Sequence, residues 1–252
     1  GIGRELAREF RRHGYALVVA AEDTGIDRVG AELAAGDAAV TTVRADLSTP
    51  AGVEKLWRAI TATGRPVDIA ALNAGIGAGG RFARETSLED ELRMIDLNVR
   101  STVHLAKLVV GQMAGRGEGR ILFTSSVAAT TPGTFQAVYS ASKSFVQSFA
   151  LALRAELADT GVTVTSLMPG PTDTAFFERA GMEDTALAAG ASDDPADVAE
   201  QAVAALLNGD ERVVTATLAT RVEALASRFL PDSVKAAALG LVARPGSSPR
   251  AG

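Results

Sequence analysis

The sequence predicts an α/β fold: a doubly wound, mostly parallel sheet with helices on both faces. Three observations carry that prediction. Short β-branched runs alternate with longer amphipathic segments along the chain, the signature of successive βαβ units. Asp46, Asn73, Ser126 and Pro169-Gly170 all punctuate the carboxyl ends of such runs, where open parallel sheets bind ligands. With 252 residues, 47% apolar and 22% charged, the chain is long enough for one domain with a substantial core.

The elements follow in order. Residues 3–13 read as a helix whose Arg11-Arg12-His13 end places cations against the helix dipole, and Gly14 is its stop. A strand over 15–21 leads to a helix over 25–35, and a strand over 40–46 ends at Asp46. A helix over 50–63, a strand over 67–73 and one long helix over 87–114 come next. The strand at 120–125 precedes a helix over 135–159, which Gly161 closes before the strand at 162–168. Asp194-Pro195 is an N-cap followed by a first-turn proline, opening a helix over 195–208, and 212–215 is the last strand. Segments 217–229 and 231–242 carry Leu, Val and Phe at helical spacing, expected as core or subunit contact. Residues 1–243 are thus expected to form a single domain, with 216–243 as C-terminal helices. The Pro, Gly and Ser content of 244–252 predicts a disordered tail.

Composition excludes several functions. The absence of cysteine removes disulfides, thiolate metal sites and a cysteine nucleophile together. A net charge of −5 argues against a nucleic-acid surface. No apolar run approaches the roughly 20 residues that span a bilayer, and no signal-peptide pattern is present, so a cytoplasmic location without membrane contact is expected. His13 and His104 have no spaced partner for a metal, and no metal is assigned.

The stretch SSVAATTPGTFQAVYSASKSF places Ser126 thirteen positions before Tyr139, and Lys143 four after it. Tyrosine and lysine four apart on a helix share a face, so an ammonium beside the phenol favours its ionised form. A unit charge about 4 Å away at an effective dielectric of ~20 is worth up to about 4 kcal/mol, or about three pKa units. That is enough to make the phenol a proton donor and acceptor at working pH. With two tyrosines in the chain, the full serine, tyrosine and lysine spacing arises in roughly 0.2% of shuffles.

Together these residues resemble the short-chain dehydrogenase/reductase family, along nearly the whole chain to about residue 215. The resemblance implies a Rossmann-like fold and an NAD(P)-dependent oxidoreductase acting on a ketone or secondary alcohol. It further implies that Tyr139 exchanges the proton, that Ser126 orients the substrate oxygen, and that Lys143 lowers the phenol pKa and holds the nicotinamide ribose. Asn98, in IDLNVRS, matches the asparagine that supports a water-linked proton path. Asp46 and Leu47 match the pair that meets the adenine ring, and Asn73-Ala74-Gly75 the turn beside the adenosine. Pro169, Gly170 and Thr174 match the segment that meets the nicotinamide amide. Tyr139 and Lys143 also count among the cofactor contacts. The family's glycine-rich turn normally reads ThrGlyxxxGlyxGly after a first strand, whereas this sequence opens at Gly1-Ile2-Gly3. The first strand is therefore expected to be missing from the given sequence, as in a fragment of a longer product.

Glu22 and Asp23 at the end of the second family strand, with no arginine close in sequence, lean the cofactor toward NAD, since carboxylates repel a 2′-phosphate. Residues 175–194 are expected to form a lid, lined by Phe176, Phe177 and Met182, over an apolar carbonyl or alcohol substrate. By resemblance the chain forms a homodimer or homotetramer through the helices at 88–114 and 135–159. Two alternatives stand beside this reading. One is a catalytically silent dinucleotide-binding protein, because the glycine-rich loop is incomplete. The other is an extended-type epimerase or dehydratase.

Overall fold

A computed structural model describes residues 1–34, 38–215 and 231–248. Among them six strands run parallel: β1 (Leu17–Ala21), β2 (Val40–Arg44), β3 (Ile69–Leu72), β4 (Gly119–Thr124), β5 (Val162–Pro169) and β6 (Arg212–Thr215). β1 pairs with β2 from Leu17↔Val40 to Ala21↔Arg44. The other four lie in the order β3-β4-β5-β6. The facing edges of β1 and β3 do not pair with each other and line one cavity.

The helices are α1 (Ile2–Arg12), α2 (Gly25–Leu33), α3 (Pro50–Ala62), α4 (Leu88–Ile95), α5 (Ser101–Arg116), α6 (Ala137–Glu156), α7 (Phe176–Arg179), α8 (Ala186–Ala189), α9 (Pro195–Asn208) and α10 (Asp232–Val242). Their ends follow local chemistry. Thr49 caps α3 by accepting from the Gly52 amide, and Asp194 caps α9 by accepting from Ala196 ahead of its first-turn proline. Gly14 and Gly161 adopt left-handed φ of 84° and 72°, which a side chain disfavours.

Period-two alternation along β4 fills two cores. Ile121 and Phe123 face Val109, Met113, Val146 and Ala150 of α5 and α6. Leu122 faces the opposite way, onto Leu6 and Phe10 of α1 and Val198, Ala202 and Leu206 of α9. The sheet is thus wound on both faces, a Rossmann-like arrangement. No helix among the described residues is long and apolar enough to cross a membrane.

Two segments differ from expectation. The predicted helix over 87–114 is interrupted by a π-turn at Asp96–Arg100. There Asn98 turns its side chain inward and bonds the Ile76 backbone, accepting from its amide at 3.0 Å and donating to its carbonyl at 2.9 Å. Residues 244–248, where a tail was expected, make hydrogen bonds to the 184–186 segment. The Gly246 amide donates to Asp184 Oδ2 at 2.7 Å, and Ser247 Oγ accepts from the Ala186 amide at 2.9 Å. Local composition did not foresee that residues 184–186 offer these partners. The predicted helix at 217–229 and the tail residues 249–252 lie outside the described residues.

Candidate active site

The strand ends converge on one cavity of about 1640 Å³. Ser126 follows β4 in extended conformation and caps a 3₁₀ turn, Val127–Thr130, its Oγ accepting from the Ala128 amide at 3.1 Å. Tyr139 and Lys143 lie one turn apart on α6, both buried, with the Lys143 ammonium 5.9 Å from the centre of the phenol ring. Lys143 Nζ donates to the Thr124 carbonyl at 2.9 Å. Asn98 is 1% exposed and donates to Ser142 Oγ at 3.0 Å, which ties it to the helix bearing Tyr139. Gly75 stands between them: a Cβ there would be 3.1 Å from Lys143 Nζ and 3.2 Å from Asn98 Oδ1. All four residues named from the sequence therefore share one cluster.

The protonation states differ from the sequence expectation. Burial pushes the Tyr139 phenol up to about 12, and a hydrogen bond with Ser126 only partly offsets this. Burial also brings the Lys143 ammonium down to about 8. Lys143 donates to the Thr124 carbonyl, and loss of hydration is the largest effect on both groups.

The predicted cofactor contacts fall along the same cavity. Gly1, Ile2 and Gly3 form the start of α1, and a Cβ on Gly3 would lie 2.7 Å from Asn73 Nδ2. Asn73 is fixed from behind by Thr124 Oγ1, which donates to Asn73 Oδ1 at 3.1 Å. Leu47, Ala74, Gly75, Pro169 and Gly170 line the wall. Asp46 also lines it, but its carboxylate accepts from the Ser48 amide and hydroxyl at 2.9 and 2.7 Å, which holds its pKa down. Thr174 approaches Gly1, so the 175–194 segment begins against the opening of α1.

Several contacts were not legible in the sequence. Arg93 Nη2 pairs with Glu22 at 2.6 Å across 71 residues of chain, and Arg44 Nε donates to the Glu22 carbonyl at 3.1 Å. Glu22 is therefore flanked by two arginines that lie far from it in sequence. Phe176 packs on Tyr139 with ring centres 5.2 Å apart and fills the space left by Gly77, where a Cβ would be 2.6 Å from its tip. Phe176 and Phe177 line the cavity as expected. Met182 does not: it is 2% exposed and packs under Gly79, where the absent side chain leaves room. The one signal in sequence for these packings is the run of glycines at 75, 77, 79 and 80.

The residues present fit a dinucleotide. Gly1 to Arg4 at the start of α1 line the cavity, and glycines 3 and 75 leave room free of side chains there. A doubly wound parallel sheet whose strand ends carry this cluster defines a dinucleotide-dependent enzyme. The chain belongs to the short chain dehydrogenase family, whose model matches residues 1–184. It is similar to the NADP-dependent 3-hydroxy acid dehydrogenase of Salmonella typhi, 31% identical over 171 residues, 68% of each chain. It is also similar to the 1-deoxy-11-beta-hydroxypentalenate dehydrogenase of Streptomyces exfoliatus, 35% identical over 181 residues, 71% of this chain and 66% of the relative. Among solved structures, the short-chain dehydrogenase from Sphingobium yanoikuyae in complex with NADPH matches with a TM-score of 0.78 at 27% identity, over 90% of this chain and 89% of that one. The protein is an NAD(P)-dependent oxidoreductase.

Proposed function

We propose that the protein reduces a ketone to a secondary alcohol, with Tyr139 delivering the proton to the carbonyl oxygen. The observation that carries this reading is the buried phenol on the cavity wall, bonded to Ser126 and one helical turn from Lys143. The bound nicotinamide supplies the hydride. Ser126 orients the carbonyl oxygen, and the high pKa of the phenol keeps its proton in place until negative charge develops on that oxygen. Lys143 holds the ribose beside the reacting centre. Asn98, fixed by Ile76 and Ser142, supports the path that returns a proton to Tyr139. The apolar body of the substrate packs on Phe176 and Phe177.

NADPH is the preferred cofactor in this reading. The Salmonella relative is named as NADP-dependent and the Sphingobium structure contains NADPH. Arg93 is half-exposed on Glu22, and a 2′-phosphate offers it a stronger, bidentate partner. The exposed Leu92, Ile95, Val103 and Phe145 on α4 to α6 support self-association through these helices; light scattering that returns the mass of a single chain would refute it. The decisive experiment is Tyr139→Phe. Turnover is abolished while NADPH binding, followed by its fluorescence, is retained, and an active variant would overturn the proposal.

A further inference from the structure

Charge is unevenly distributed along the cavity. The acidic side chains that line it, Glu22, Asp23, Asp46 and Asp68, all come from the first part of the chain, where Arg4, Arg28 and Arg65 accompany them. From Thr124 onward the described lining contains no carboxylate and three cations, Lys143, Arg179 and Lys235. Lys143 belongs to the cluster around Tyr139. Arg179 lies on α7, the helix that also carries Phe176 and Phe177. Lys235 has no role in the reaction proposed above.

Lys235 projects from α10 toward the cavity with Ala238, Leu239 and Val242, the spacing of one helical face. Its side chain is 13% exposed, low for a lysine. Its ion-pair partner is Asp232, one turn back at 2.9 Å and itself 75% exposed; such pairs contribute little. An ammonium has three donors, so Lys235 retains capacity for an anion on the cavity side. The helix is fastened to the loop that leads into Tyr139. Thr134 Oγ1 donates to the Ala236 carbonyl at 2.7 Å, and Gly240 packs on Thr134 and Phe135. Phe135 holds a left-handed φ of 65°, uncommon for a bulky residue, while its carbonyl accepts from the Gly80 amide at 2.8 Å. The ammonium is therefore positioned by the same loop that positions the phenol.

We propose that Lys235 reads a carboxylate on the substrate, which makes the substrate an oxo acid with an apolar body and its hydroxy-acid product. The proposal rests on the ketone reduction proposed above and adds the charged end that this reading leaves open. Hydride goes to the carbonyl carbon and the proton of Tyr139 to the carbonyl oxygen, while the carboxylate remains unchanged at Lys235.

The test compares 3-oxohexanoate with its methyl ester, both with NADPH, in the wild type, Lys235→Met and Lys235→Arg. The wild type prefers the acid. Lys235→Met lowers kcat/KM for the acid roughly 10- to 100-fold, mainly through KM, as expected for loss of a charged hydrogen bond. It leaves the ester unchanged, and Lys235→Arg restores much of the preference. An acid-to-ester ratio that is the same in the wild type and Lys235→Met overturns the proposal. Thermal stabilisation by hexanoate, compared with hexanamide, gives a readout without turnover. Stabilisation by hexanoate in the wild type but not in Lys235→Met supports the anion site even if neither oxo compound is reduced, an outcome that would sink the ketone reading alone. Equal response of both proteins to the two ligands counts against the anion site.

Discussion

Replacing Lys143 by methionine keeps the length of the side chain and removes its charge, which isolates the cost of burying the ammonium. Burial lowers the pKa of Lys143 from 10.5 to about 8 in the folded protein. Between those values the unfolded chain binds a proton that the folded chain does not, so stability rises with pH across this window. Each pH unit is worth about 1.4 kcal/mol, so between pH 7 and 9.5 wild type gains about 2 kcal/mol relative to Lys143→Met. Tyr139 acts in the opposite sense above pH 10, because its phenol is raised from 10.0 to about 12 and the folded state then retains a proton the unfolded chain has lost. Measurements are therefore confined below pH 10. Methionine also leaves the Thr124 carbonyl without its donor, a pH-independent loss of about 1–3 kcal/mol, so the slope carries the information. Urea unfolding of both proteins at pH 7, 8, 9 and 9.5 gives the difference curve. Parallel curves would refute the reasoning, since they would mean that the Lys143 ammonium stays hydrated in the folded state.

Gly52→Ala places a methyl group into the Asp46 carbonyl oxygen, with backbone on both sides. The expected loss is about 3 kcal/mol in urea unfolding, and a neutral result would show that the β2–α3 turn relaxes freely. Arg93→Gln raises KM for NADPH about tenfold and leaves KM for NADH unchanged. Equal effects on both cofactors would remove Arg93 from 2′-phosphate recognition.

Much of the fold was legible because it depends on local pattern. The strand at 212–215 and the helix at 195–208 appear at their predicted bounds, where β-branched runs and a capped proline leave little choice. Other boundaries moved by one to three residues, the largest shift being the end of the helix predicted over 135–159, which stops at Glu156. The π-turn at Asp96–Arg100 could not be read, since its helical periodicity is ordinary and the cause is a backbone partner 22 residues away, Ile76. The same holds for Arg93. Its pairing with Glu22, the residue after β1, joins positions 71 apart, and no count along the chain reveals it.

The sequence by itself determined the class of the protein and which side chains meet at the end of β4. Ser126, Tyr139 and Lys143 are brought together by one helix and one strand end, so spacing alone is sufficient to place them. Only the tertiary structure decided how those groups ionise. Spacing supplies the attraction between an ammonium and a phenolate, whereas the loss of hydration depends on every element packed around them. Here that loss is the larger effect, raising the phenol and lowering the ammonium. The placement of Lys235 at the cavity was likewise a tertiary decision, made where α10 meets the Thr134–Phe135 loop.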